Sequence, residues 1–114
     1  MSIPSNFRVV EQQILNCATG GTAVTAQFTV APPKGIGADQ CFVWNDGANS
    51  AQIITGPNTT AATPVVDASA AGTGQLKLGS KVGVLLMLNG DTYIGAVTES
   101  ATTTKIYAHR GSGQ

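Results

Sequence analysis

The stretch that decides the fold is VGVLLMLNGDTYIGAV, residues 82–97. Val82–Leu88 is an apolar run interrupted at Gly83. It is far shorter than the roughly 20 residues that a membrane-spanning helix needs. Asn89-Gly90 then supplies two residues that tolerate φ > 0, as both central positions of a type I′ turn require. Asp91–Val97 resumes with Tyr93, Ile94 and Val97, side chains that favour a pleated surface. The segment therefore predicts two antiparallel strands joined as a tight hairpin.

Working outward, Lys105–His109 can add a further strand as a meander, and Gly111–Gln114 reads as a frayed tail. Upstream, Cys41–Asn45 (CFVWN) is a short aromatic strand. Asp46-Gly47 is a turn dipeptide, and Ala51–Thr55 is the return strand, so 41–55 reads as a second hairpin. Gly56–Ala62 (GPNTTAA) is a loop, Thr63–Asp67 a short edge strand and Ala68–Gly74 (ASAAGTG) a flexible tip. In Thr22–Val30 apolar Val24, Ala26, Phe28 and Val30 alternate with polar Thr25, Gln27 and Thr29. That period of two belongs to a strand with one buried face, and Pro32-Pro33 ends it. Phe7–Leu15 carries helical spacing after Asn6 and also a Val-Val pair that suits a strand; it is read here as a strand. The sum is eight or nine short strands with evenly spaced turns and no fixed-period repeat. The expected fold is all-β, a compact antiparallel sandwich or barrel, with a jelly roll among the arrangements the strand count allows. One β domain over 8–110 is expected, flanked by an N-terminal arm (1–7) and a tail (111–114).

Composition narrows the function. The 114 residues suffice for one domain with its own core. Only 11% are charged, against about 25% in an average domain, and six basic residues balance six acidic ones. With no Lys/Arg run to neutralise phosphates, nucleic-acid binding is not expected, nor is membrane insertion. A surface so poor in charge resists association weakly and suits contact with other protein. The start, MSIPSNFR, has neither a basic nor a long apolar region, so no secretory signal is read and synthesis in a cytoplasm is expected. Cys17 and Cys41 form no CxxC motif. They read as two buried free thiols, with a single bridge as the alternative.

Chemistry-bearing patterns are sparse. The single histidine, His109, lies near the C-terminus with no GxSxG nucleophile elbow, and reads as a frayed or interface residue rather than a catalytic one. Cys and His are too scattered for zinc. NDGAN (45–49) could cradle a cation but reads first as a turn. GQLKLGSK (74–81) places Ser80 before Lys81 and leads into a strand, the reverse of a phosphate loop. Asp39, Asp46, Asp67 and Asp91 all fall at predicted turns, and Asn58-Thr59-Thr60 is a bare glycosylation sequon. Trp44, mid-strand among apolar neighbours, reads as core rather than as a sugar platform. No catalytic residue, metal or cofactor is expected, and the chain reads as a binding protein, not an enzyme.

The order of elements from Cys41 to Ile94 carries a resemblance. FVWNDG, AQIIT, a Pro/Asn/Thr loop, TGQLKLGSKV and LLMLNGDTYI follow one another as they do in small β-rich virion proteins of tailed bacteriophages, and the segment resembles head decoration (cement) proteins. That resemblance implies a capsid-surface protein of the virion, commonly a homotrimer, which binds the major capsid protein and stabilises the shell. It also implies capsid contact through an N-terminal arm, here Ser2, Ile3, Pro4, Ser5, Asn6 and Phe7. The alternative is a tail, fibre or baseplate component that binds host-surface glycan.

Overall fold

The computed structural model describes residues 7–30, 38–66, 74–99 and 103–113. Eight strands follow one another: β1 Arg8–Cys17, β2 Val24–Gln27, β3 Ala38–Asn45, β4 Ala51–Gly56, β5 Leu76–Leu78, β6 Gly83–Met87, β7 Tyr93–Val97 and β8 Thr104–Gly113. They form two four-stranded sheets, ordered β1-β8-β3-β6 and β2-β7-β4-β5, with every pairing antiparallel. The pairs β1·β8, β2·β7, β3·β6 and β4·β5 are those of one long hairpin folded at the β4–β5 connection. Rolling that hairpin adds β3·β8 and β4·β7 and makes an eight-stranded jelly roll. The sheets stay separate, so the fold is a sandwich and not a closed barrel.

Alternation along each strand fills the space between the sheets. Leu15, Cys17, Cys41, Val43, Ile106 and Ala108 face inward from the first sheet; Ala51, Ile53, Leu78, Ile94 and Ala96 meet them from the second. Phe28 and Leu88 join the core at its margins. Burying a Leu or Ile of this kind contributes about 1.5–3 kcal/mol.

Several expected connections are different. Asn89 and Gly90 do take positive φ, 50° and 91°, and the Asp91 N–H closes the turn on the Leu88 carbonyl at 2.9 Å. Yet β6 and β7 lie in different sheets, so the turn arches between layers instead of joining a hairpin. The 41–55 hairpin is likewise an arch, β3 in one sheet and β4 in the other. The last strand is no meander beside β7; it runs to Gly113 at the centre of the other sheet, between β1 and β3. Gly111 and Ser112 are buried there rather than frayed. Thr63–Val66 form no strand. Val30 is 45% exposed, because β2 ends at Gln27. The prolines 32–33 and the tip residues 68–73 lie outside the described residues.

The loop after β4 crosses the outer face of the second sheet. Gly95 makes this possible: a Cβ there would run into the Ala62 carbonyl and the Pro64 ring. Ala62 and Pro64 are buried by the crossing. The loop is held by Asn58, whose side chain accepts from the Ala61 N–H at 2.8 Å, and by Gln75, which bonds both backbone groups of Val65.

Candidate interaction surface

The outer face of the β1-β8-β3-β6 sheet carries a different surface. Strand register sets three rows of positions across all four strands, with Asn16 and the exposed Lys105 following beyond the first row on β1 and β8. One row is Ile14, Tyr107, Trp44 and Gly83; the next is Gln12, His109, Phe42 and Leu85; the third is Val9, Gly111, Gln40 and Met87. With strands about 4.8 Å apart and same-face residues about 6.7 Å apart, the rows span roughly 14 by 14 Å. None of the positions in the three rows holds Asp, Glu, Lys or Arg. Ile14 and Met87 are each 51% exposed, and Leu85 39%. Phe42 and His109, in the middle row, are buried, 6% and 4% exposed. Aromatic and Met side chains without charge are the composition of a protein interface core.

Trp44 is thus half-buried on the outer face and not part of the core between the sheets; alternation sends Cys41 and Val43 inward and Phe42 and Trp44 outward. Its indole N–H donates to Asp46 Oδ1 at 3.2 Å, and Lys81 Nζ donates to the same oxygen at 3.3 Å. The Trp44 bond first, then that from Lys81, holds the Asp46 carboxyl below its ordinary value. His109, expected at a frayed end, is locked into β8. Its Nδ1 lies 3.3 Å from the Phe42 carbonyl, and its ring tilts against the Phe42 ring at 6.4 Å. Gln40 Oε1 is buried on this face without a hydrogen-bond partner.

The chain matches no family model, no curated protein and no solved structure.

The arm residues Ser2, Ile3, Pro4, Ser5 and Asn6 lie outside the described residues. Phe7 is 9% exposed, and the tip of its ring lies beside Gly111, where a Cβ would collide first with the Arg8 carbonyl. Cys17 pairs with Thr104 and Cys41 with Arg110, six positions apart along β8. That is about 20 Å of strand, so the two thiols cannot meet, and both are free and buried. Burial pushes the Cys41 thiol up to about 12. NDGAN is a structural turn: Asn45 is fully buried, donates to the Asn49 and Leu78 carbonyls, and accepts from the Gly47 N–H. Among the described residues no three His, Cys, Asp or Glu side chains gather where a metal could bind. Ser80 bonds the Gly47 carbonyl at 2.6 Å.

Two features escaped the sequence reading. Asp39 is not at a turn but inside β3, gripping Arg110 of β8 through two hydrogen bonds of 3.0 and 2.9 Å. The Arg110 guanidinium lies 5.7 Å from the centre of the Phe28 ring of the facing sheet's edge. This pair floors a cavity of about 380 Å³ at that end of the sandwich, but Asp39 already occupies the guanidinium fork that an anion would need. Glu11, second, accepts from the Thr29 N–H at 2.9 and 3.0 Å and from the Val30 N–H at 2.8 Å, lacing β1 to the chain after β2. Burial works to raise the Glu11 carboxyl, but the Val30, Thr29 and Gln13 hydrogen bonds and the Arg110 charge outweigh it and hold it below its ordinary value.

Proposed function

We propose that this chain is a virion structural protein, a bacteriophage capsid decoration protein that binds the major capsid protein and stabilises the outer shell. The observation that carries the reading is the uncharged, aromatic-rich patch of three rows on the outer face of the β1-β8-β3-β6 sheet, bordered by Lys105 and the Asp46–Lys81 pair, on a sandwich whose opposite face is crossed by its own loop. The 41–94 resemblance supports it, as does the analogy with viral capsid domains, in which the jelly roll recurs. The mechanism is attachment without chemistry. Ile14, Leu85 and Met87 bury their exposed surface against the shell, a partner donor satisfies Gln40 Oε1, and many copies bridge neighbouring capsid subunits so that individually modest contacts dissociate slowly.

The test is co-sedimentation of the purified protein with undecorated capsids. Wild type pellets with the shells, and Ile14→Lys, an exposed position, stays in the supernatant. Failure of wild type to bind, or equal binding by both, overturns the reading. The half-exposed Trp44–Tyr107 pair favours one other function, host-glycan binding by a tail, fibre or baseplate component. That function predicts a change in Trp44 fluorescence on adding oligosaccharide.

A further inference from the structure

The two sheets have four edge strands, β1, β6, β2 and β5. Natural sandwiches protect such edges with charge, bulges or brevity, because an open edge pairs with any other strand. β1 has a bulge between Val9 and Glu11, two charged residues, and the Glu11 clamp. β2 and β5 are only four and three residues long. β6, GVLLM, has none of these devices. Its register with β3 is unbroken, it contains no charge or proline, and Leu85 and Met87 stand exposed along it.

The ladder shows which backbone groups are on offer. Val82 O and Leu88 N bond toward β3, at Asn45 and Asp39. The even-numbered residues of β6 therefore face β3, and the N–H and C=O groups of Gly83, Leu85 and Met87 point out of the sheet. Among the described residues no strand pairs with that edge.

We infer that β6 pairs with β6 of a second copy, antiparallel about a two-fold axis at Leu85. In that register Leu85 faces Leu85, and Gly83 faces Met87 on either side. These are the residues whose backbone groups point outward, so every open N–H and C=O of the strand finds a partner. The side chains fit as well. The Phe42 and Trp44 rings lean over Gly83, where a Cβ would collide with them. Met87 of the second copy lands beside those rings, a favourable sulfur–aromatic contact, and the symmetry makes this contact twice. On the inner side Val84 meets Leu86, above the slot of about 250 Å³ between β6 and the β4–β5 edge. No like charges confront each other, since Lys81, beyond the strand, is already paired with Asp46. A three-fold arrangement, the one the decoration-protein resemblance implies, cannot give this self-complementary pairing.

A five-residue strand pair buries on the order of a few hundred Å² per copy, below the ~800 Å² per partner of a stable interface. The free protein is therefore a monomer–dimer equilibrium whose dimer fraction rises with concentration. Pairing also joins two outer faces into one continuous eight-stranded surface. The inference does not rest on the capsid reading, because dimerisation is measured without shells.

Sedimentation velocity across a concentration series tests it. Wild type shifts from monomer to dimer. Leu85→Lys, which sets two cations face to face, weakens dimerisation by ~100-fold or more, while Val65→Lys, an exposed site on the other sheet's loop, leaves it unchanged. Register is tested by Leu85→Cys, which a short thiol crosslinker joins to itself, whereas Val82→Cys is not joined. Circular dichroism confirms that each variant is folded. A monomer at all concentrations, a trimer, or a dimer indifferent to Leu85→Lys overturns the inference.

Discussion

Removing Asp39 should be among the most damaging single changes available. Arg110 is 3% exposed and Asp39 16%, and the guanidinium meets the carboxylate through two hydrogen bonds of 3.0 and 2.9 Å. The pair joins β3 to β8 within one sheet, and the Phe28 contact at 5.7 Å carries it across to the other. Asp39→Ala leaves a buried cation without its counter-ion. Breaking a buried pair in this way costs about 3–5 kcal/mol, and because the Arg110 charge also reaches Glu11, the lower end is expected. With a urea m-value of about 1.5 kcal/mol/M for a small domain, the unfolding midpoint falls by about 2 M. That is a large part of the roughly 5–15 kcal/mol that holds a domain folded. Asp39→Ala combined with Arg110→Met removes the orphaned charge and places an apolar chain over Phe28, so most of the loss is recovered. A loss under about 1 kcal/mol for Asp39→Ala, the size of an exposed pair, would refute the argument. So would a double variant as unstable as the single.

Glu11 predicts acid sensitivity. A carboxylate held below its ordinary value of 4.5 in the folded state contributes stability above that value and loses it as pH falls through the lowered one. Glu11→Gln should cost about 1 kcal/mol at neutral pH, and urea curves of variant and wild type should converge as pH drops below 4.5; a constant difference at all pH values counts against the clamp. For the cysteines, burial and a Cys41 thiol pushed up to about 12 predict that a thiol reagent at neutral pH labels neither residue until the protein unfolds. Rapid native-state labelling, or an intramolecular bridge on oxidation, contradicts the placement of the two strands.

The strands were legible because alternation survives into the structure. Cys41 and Val43 point one way and Phe42 and Trp44 the other, as a period of two requires. What alternation cannot say is which of the two faces lies inside, and the expectation that Trp44 belongs to the core chose the wrong one. Asn89-Gly90 shows a second limit. Its positive φ values and its closing hydrogen bond suit a hairpin and an arch between sheets equally well, so a local turn signal does not reveal whether its flanking strands pair. The end of the chain misled for a third reason. Gly111, Ser112 and Gly113 have poor strand propensity, but β8 is held on both sides by β1 and β3, and tertiary pairing overrides propensity. The same inward register of Ile106, Ala108 and Arg110 could have marked Arg110 as buried and in need of a carboxylate.

The central claim is that the outer face of the β1-β8-β3-β6 sheet docks the protein onto a viral shell. The most direct measurement is the sedimentation of the native particle with which the chain purifies, wild type beside Ile14→Lys. The account predicts that wild type travels with a megadalton shell and that the variant is released as a folded small species. Recovery of wild type only as a small soluble oligomer, or equal retention of both on the shell, would contradict it.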